Sequence, residues 1–152
     1  MTTSVLSVGT PPTTRQRVVL LAFVVWTAYV WASRIVNALG SDTESSGEKV
    51  FSVVLSLVLL ALTVGVVAVV VRSWKAPLTA GGAKVLAAAA GVTIVVWLIR
   101  VPQILTTDHG PDVNGTAFNI VHTLLGAVSI GLAALVWQIA RPALRSGGDG
   151  RR

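Results

Sequence analysis

The chain contains no cysteine and few charged residues. Its 152 residues include 12 lysines and arginines and 6 aspartates and glutamates. The missing thiols exclude disulfide bonds, thiolate metal sites and cysteine nucleophiles. Charged residues make up 12% of the chain, against about 25% in ordinary soluble domains, which is too few to cover a soluble surface. Together with 53% hydrophobic residues, this scarcity predicts an integral membrane protein.

Signatures of catalysis are missing as well. The sequence has no phosphate-binding loop, no Ser/His/Asp pattern and no pair of acids within an apolar run. A membrane glycosyltransferase or protease needs such groups in or beside the bilayer. The net charge of +6 does not indicate nucleic-acid binding, because the basic residues flank apolar runs and do not follow one polar face. We therefore expect no catalytic residue, no metal ion, no cofactor and no nucleic-acid partner.

Four apolar runs have the length of a transmembrane helix. Each is close to the ~20 residues that cross a hydrocarbon core about 30 Å thick. Because lipid offers no hydrogen bonds to an exposed backbone, runs of this length favour helices despite their high valine content. The runs cover residues 18–39, 50–71, 85–105 and 117–139. The sequence predicts an all-α, polytopic membrane protein with four transmembrane helices in an antiparallel bundle.

The polar segments divide the chain into hairpins and tails. Residues 1–17 and 145–152 are polar and contain clustered proline or glycine, so both are expected to be disordered. Residues 18–78 form the expected first transmembrane hairpin, and residues 79–144 form the second. The first apolar run is longer than the hydrophobic region of a cleaved signal peptide, so we expect it to remain as the first span.

Basic and acidic residues alternate between the segments that flank the spans. Lysine and arginine dominate before the first span, between the second and third, and after the fourth, whereas the two other loops are mainly acidic. The basic residues are Arg15, Arg17, Arg72, Lys75, Lys84, Arg141, Arg145, Arg151 and Arg152, and the acidic ones are Asp42, Glu44, Glu48, Asp108 and Asp112. The positive-inside rule predicts a multi-pass protein of the cell inner (plasma) membrane with both termini in the cytoplasm.

The two halves of the chain resemble each other. In each half a tryptophan precedes an arginine by three residues, and an offset of 66 relates Trp31 and Arg34 to Trp97 and Arg100. Further matches at offsets of 65 to 67 are Asp42 with Asp108, Phe51 with Phe118, and Pro77 with Pro142. This pattern predicts a duplicated hairpin. Because each hairpin begins and ends on the same side, the two repeats would be parallel, with an axis along the membrane normal.

The second half also resembles a known family. The first expected helix of this half contains Trp97 in its outer part. The second expected helix begins with Phe118, Val121 and His122 and continues into a leucine pair. These residues resemble small actinobacterial integral membrane proteins of unknown function, which are two-helix hairpins. The first half is similar but has Leu55 at the position equivalent to the histidine. The resemblance implies a hairpin fold and no activity.

Arg34 and Arg100 place charge inside apolar spans. A charge at the bilayer centre costs at least ~2.5–3.5 kcal/mol, and less toward the interface. In one interpretation both arginines extend to the outer headgroups, with Trp31 and Trp97 as interface anchors within reach of a cation–π contact. In the other, both face the bundle interior and meet an anion. That anion would be an aspartate just past each span or a ligand such as a lipid phosphate.

A polar layer is expected in the outer half of the bundle. His122 lies one turn into the fourth span, and the histidine is expected either to hydrogen-bond to another helix or to serve in proton transfer or quinone binding. Haem ligation is disfavoured because the other histidine, His109, lies in a loop. The candidate ligand-binding or partner-binding residues are Arg34, Arg100, His122, Asn119 and Gln103.

Three functions from different classes follow from these features. The small size, short loops and missing catalytic groups predict a non-catalytic accessory or scaffold subunit of a larger membrane complex. Its partners would be the lipid bilayer and other membrane proteins or further copies of the chain. The alternative is a small carrier or a lipid-binding or anion-binding protein, which predicts a cavity between the hairpins with both arginines pointing into it. A redox or quinone-linked enzyme would need a cofactor that the sequence does not indicate.

Overall fold

The four apolar runs form four long helices. A computed structural model describes residues 10–42, 44–106 and 115–146, and no strand occurs among these residues. The helices are α1 (Thr14–Gly40), α2 (Ser46–Arg72), α3 (Ala80–Thr106) and α4 (Gly115–Ser146). Each is long and apolar enough to cross a membrane. The expected all-α, polytopic membrane fold is therefore confirmed.

Capping boxes begin the first two helices. The side-chain oxygen of Thr13 accepts a hydrogen bond from the backbone N–H of Gln16 (3.3 Å), and the Gln16 side chain accepts one from the N–H of Thr13 (2.8 Å). Ser45 and Glu48 form the same arrangement at α2. Each box satisfies N–H groups that the first helical turn leaves without partners. The caps therefore lengthen α1 and α2 beyond their apolar runs.

The helix ends differ from the expected segment boundaries. Residues 14–17, which were expected to be disordered, form the first turn of α1 because the Thr13 cap supports them. Helix α4 contains Pro142 and runs to Ser146, past residue 144, the expected end of the second hairpin. Residues 10–13 precede α1 and are not helical, and residues 1–9 and 147–152 of the two expected disordered tails lie outside the described residues.

The helices form an antiparallel ring in chain order. Packing is most extensive within the hairpins α1–α2 and α3–α4, and two thinner seams, α2–α3 and α1–α4, close the ring. The guanidinium of Arg17 lies 4.9 Å from the ring centroid of Trp74, so the start of α1 meets the segment after α2. This end, called the basic end here, carries Arg15, Arg17, Arg72, Lys75, Lys84, Arg141 and Arg145. The opposite end, called the acidic end, carries Asp42, Glu44 and Glu48.

Alanines pack among larger apolar side chains in the interior, and further large apolar side chains cover the outside. Ala83 and Ala90 are fully buried, whereas Val25, Val64 and Val71 are 67%, 68% and 68% exposed. Between helices in lipid there is little hydrophobic driving force, so close packing through small residues holds a membrane bundle together. The distribution is that of a bundle surrounded by hydrocarbon.

Helices α3 and α4 approach closely beside Gly126. A Cβ atom at this position would lie 2.7 Å from Val101 Cγ2 and 2.9 Å from Trp97 Cε3. At Gly131, five residues further along α4, nothing lies within 4 Å of such a Cβ atom. The packing of α3 against α4 therefore requires glycine at position 126 but not at position 131.

A hydrogen bond joins the two hairpins at mid-height. The indole Nε1 of Trp26 on α1 donates to Ser129 Oγ on α4 at 2.9 Å, and that hydroxyl donates to the backbone oxygen of Leu125 at 2.7 Å. Trp26 and Ser129 both lie near the middle of their helices. This hydrogen bond joins α1 to α4. Between the bond and the acidic end, α1 and α4 separate and leave a cleft.

Candidate ligand-binding cleft

A cleft of about 490 Å³ opens between α1 and α4 toward the acidic end, with α3 as its third wall. This volume is within the range of about 300–1,000 Å³ that is typical of small-molecule sites. The polar lining consists of Ser33, Arg34, Asn37, Glu44, Arg100, Gln103 and His122. The apolar lining includes Tyr29, Val30, Ile104, Phe118, Val121 and Leu125. Four of the five candidate residues thus meet in one cleft, and Asn119 is not part of its lining.

Arg34 is held by two side chains of its own hairpin. Its Nη2 donates to Glu44 Oε1 and to Ser52 Oγ, both at 3.2 Å. The expected aspartate partner is absent on this side, because Asp42 is exposed. Glu44 is the partner of Arg34 instead. The connection between α1 and α2 folds back on itself, and the Glu44 N–H donates to Ser41 Oγ at 3.2 Å. The charge of Arg34 is therefore balanced within the protein.

The second carboxylate oxygen of Glu44 has no hydrogen-bond partner. Oε2 is buried, and no donor lies within hydrogen-bond distance of it in the described part of the chain. A buried acceptor without a donor costs about 1–3 kcal/mol, and more when it is charged. The cleft therefore contains an acceptor that a bound donor would satisfy.

Arg100 is a cation without a carboxylate partner among the described residues. Its guanidinium lies 5.7 Å from the ring centroid of Phe51 on α2, in a cation–π contact. Arg34 and Glu44 line the same cleft. Since Glu44 already balances Arg34, one positive charge remains among the described residues of the cleft. The five N–H donors of that guanidinium are suited to a planar or tetrahedral oxyanion.

His122 bonds to its own helix and not to another. Its Nδ1 lies 2.9 Å from the backbone oxygen of Phe118, and the ring centroids of His122 and Phe118 are 3.9 Å apart. A carbonyl oxygen only accepts, so Nδ1 carries a proton and donates it to Phe118 O. The expected interhelical hydrogen bond is not formed within the described residues. The ring lies on the cleft wall.

The structure places Trp31 and Trp97 inside the bundle, which corrects their expected position as interface anchors. They are 4% and 5% exposed, and their ring centroids lie 6.2 Å apart. A buried indole presents no ring to headgroups. The cation–π partner of Arg100 is Phe51, not a tryptophan. Trp97 Nε1 is buried without a hydrogen-bond acceptor in the described part of the chain, which adds a spare donor beside the cleft.

Glu44 lines the cleft and Phe51 contacts Arg100, and neither residue was predicted as part of the site. Glu44 lies ten residues after Arg34, just across a turn, so a search for acids near both ends of that turn would have found it. Phe51 carries no comparable signal, because its contact with Arg100 depends on how α2 packs against α3.

Several expectations fall on residues that the structure does not describe. Asp108, expected as a partner of the arginines, lies in the gap between residues 106 and 115, as do His109 and Asp112. Among the described residues, no three metal-binding side chains cluster.

No protein-family model matches the chain, and no curated protein or solved structure matches it. The resemblance of the second hairpin to the actinobacterial family stays a prediction from its residues. The function of the chain is therefore inferred from the residues of the cleft.

Proposed function

We propose that the chain is a non-catalytic integral membrane protein that binds the anionic group of an amphiphile in this cleft. The observation that carries the proposal is the guanidinium of Arg100, which has no carboxylate partner among the described residues and lies in a cleft with an apolar wall. Arginine binds phosphate and carboxylate through paired, charge-assisted hydrogen bonds. In a site shielded from water, such a charge gains more from an anion than it would in solution.

An attached apolar chain would lie along the α1–α4 seam. Tyr29 and Val121 line the cleft and are 64% and 52% exposed, so its apolar wall continues onto the outer surface of the bundle. Nearby Leu124, at 60% exposure, belongs to the same surface. A ligand with an anionic head and a hydrocarbon tail would satisfy both parts of the cleft, whereas inorganic phosphate would use only Arg100.

The same proposal includes an orientation. The described lysines and arginines outside the cleft cluster at the basic end, apart from Lys49, which supports a cytoplasmic location for that end and for both termini. The cleft then lies in the outer leaflet of the inner membrane. Its ligand would be a lipid of that leaflet or an amphiphile that reaches it.

An internal duplication is also part of the proposal. Buried residues of α1 recur as identical buried residues of α3 at an offset of 66: Leu20 with Leu86, Thr27 with Thr93, and Trp31 with Trp97. This periodicity supports a common origin for the two hairpins. The match between Pro77 and Pro142 does not support a common origin, because Pro77 lies between helices and Pro142 lies inside α4.

Single cysteines test the orientation, because the native chain has none. We expect Ser46→Cys, at the exposed start of α2, to react with a membrane-impermeant maleimide added to intact cells. Ala76→Cys, exposed between α2 and α3, should react only after the membrane is opened. Labelling in the reverse order would contradict the proposed orientation.

Arg100→Gln tests the binding site. Purification of the full chain in mild detergent, followed by mass spectrometry, should find a phosphate-bearing or carboxylate-bearing lipid with the native protein. Loss of a charge-assisted contact should lower its retention by about tenfold or more. Arg141→Gln, at the exposed basic end, should retain the lipid as the native chain does, and Arg100→Lys should restore part of the binding.

The same purification separates the proposal from the accessory function expected from the sequence. Lipid that is retained equally by the native chain and Arg100→Gln would contradict binding in the cleft. A stoichiometric protein partner that copurifies without a specific lipid would instead favour a scaffold or accessory subunit.

A further inference from the structure

We propose that the ligand of the cleft is zwitterionic, with a phosphate and a primary ammonium as in a phosphatidylethanolamine headgroup. This inference rests on the proposed binding of an anionic group and adds the second half of the headgroup. Its basis is the balance of unused donors and acceptors among the described residues that line one cleft.

The unused groups are of both kinds. The indole N–H of Trp97 is a buried donor without a hydrogen-bond acceptor in the described part of the chain, and the guanidinium of Arg100 has no carboxylate partner there. Glu44 Oε2 is a buried acceptor without a donor among the same residues. A simple anion would satisfy the donors and leave this acceptor unsatisfied. A phosphate linked to an ammonium satisfies both kinds.

The charges lead to the same ligand. Arg34 and Glu44 form an ion pair, and Ser52 is a second acceptor for Arg34. Because Arg34 uses only Oε1 of the carboxylate, Oε2 has no competing cation within hydrogen-bond distance among the residues that the structure describes. An ammonium at Oε2 would bring a positive charge to a region that already contains Arg100, and this is tolerable only if the same ligand brings a negative charge. The phosphate supplies it.

Headgroup chemistry predicts an order of binding. Phosphatidylglycerol has the phosphate but no cation, so Glu44 Oε2 would receive at best a neutral hydroxyl. Phosphatidylcholine has the charge of the ammonium but no N–H to donate. Since charge-assisted hydrogen bonds are about twice as strong as neutral ones, phosphatidylethanolamine should bind about tenfold or more tightly than either.

Native mass spectrometry of the full chain tests this order. The protein would be delipidated in a phosphorus-free detergent and offered equimolar dioleoyl phosphatidylethanolamine, phosphatidylglycerol and phosphatidylcholine. We expect the ethanolamine lipid to predominate among one-lipid adducts. Glu44→Gln keeps an acceptor for Arg34 but removes the negative charge, so the preference should fall by about tenfold. Glu48→Gln makes the same change outside the cleft and keeps its capping box, so its preference should match the native chain.

The outcomes separate the two proposals. Phosphatidylglycerol or phosphatidylcholine binding as tightly as the ethanolamine lipid, with Arg100→Gln weakening all three, would overturn the zwitterion and keep the anion site. Adducts that Arg100→Gln leaves unchanged would overturn both. Millimolar phosphoethanolamine that fully displaces the lipid would assign the headgroup chemistry to a water-soluble ligand and overturn the lipid source. A folded Glu44→Gln protein, shown by an unchanged circular dichroism spectrum, with the native lipid preference would overturn the role of Glu44.

Discussion

Replacing Gly126 with alanine is expected to destabilise the bundle by about 1–3 kcal/mol, the usual cost of overpacking. The new methyl group would lie 2.7 Å from Val101 Cγ2 and 2.9 Å from Trp97 Cε3. The valine methyl can rotate away, but the indole is buried and cannot move without disturbing Trp31. The midpoint of detergent-induced unfolding, followed by tryptophan fluorescence, measures the change.

Gly131→Ala is the matched control on the same helix. Its added methyl group meets nothing within 4 Å, so the only effect is the better helix propensity of alanine, worth up to about 1 kcal/mol. The two substitutions should therefore shift the unfolding midpoint in opposite directions. Equal shifts would show that α3 and α4 do not approach closely at Gly126.

Arg34→Ala is expected to destabilise the fold by about 1–3 kcal/mol, because it leaves the carboxylate of Glu44 without its cation and Ser52 without a donor. Both members of the ion pair are less than a third exposed, so water compensates the loss only in part. Arg141→Ala, at the exposed basic end, should change stability by no more than about 0.5 kcal/mol.

A double-mutant cycle separates the pair from its surroundings. Arg34→Ala with Glu44→Ala removes both charges, so the double variant should be more stable than the sum of the single effects predicts, by about 0.5–3 kcal/mol. Additive effects would show that the 3.2 Å contact does not hold the α1–α2 connection.

The helices were predictable because their lengths are set by the membrane. Four apolar runs of about 20 residues allow one kind of element, since only a helix satisfies its backbone within the segment. Their ends were less predictable, because hydrogen bonds such as the Thr13–Gln16 capping box determine them and hydropathy does not. Helix α4 continues through Pro142 to Ser146, beyond its apolar run.

The depth of the site residues along the bundle was predictable from the sequence, but the direction in which their side chains point was not. Arg34, Arg100, Gln103 and His122 share a level along the bundle, and the sequence spacing alone gave that level. Whether a side chain faces lipid or the interior depends on helix rotation, which uniformly apolar spans do not encode. For that reason the tryptophans were expected at the surface although they are buried.

The partners of the arginines depend on packing between helices. Phe51 reaches Arg100 from α2, and Glu44 reaches Arg34 from the connection between α1 and α2. Neither contact follows from sequence spacing within one helix. The proposed function depends on Arg100 having no carboxylate partner among the described residues, which became evident only when the contacts of both arginines were known.

The distance between the Arg100 guanidinium carbon and a lipid phosphorus tests the proposed binding most directly. Solid-state NMR would measure carbon–phosphorus dipolar dephasing on arginine-labelled protein in frozen, phosphorus-free detergent with one equivalent of dioleoyl phosphatidylethanolamine. Hydrogen bonds of about 2.7–2.9 Å between guanidinium nitrogen and phosphate oxygen predict strong dephasing of one arginine signal. That dephasing should vanish in Arg100→Gln and persist in Arg141→Gln. No dephasing in the native chain, or dephasing that survives in Arg100→Gln, would contradict lipid binding in the cleft.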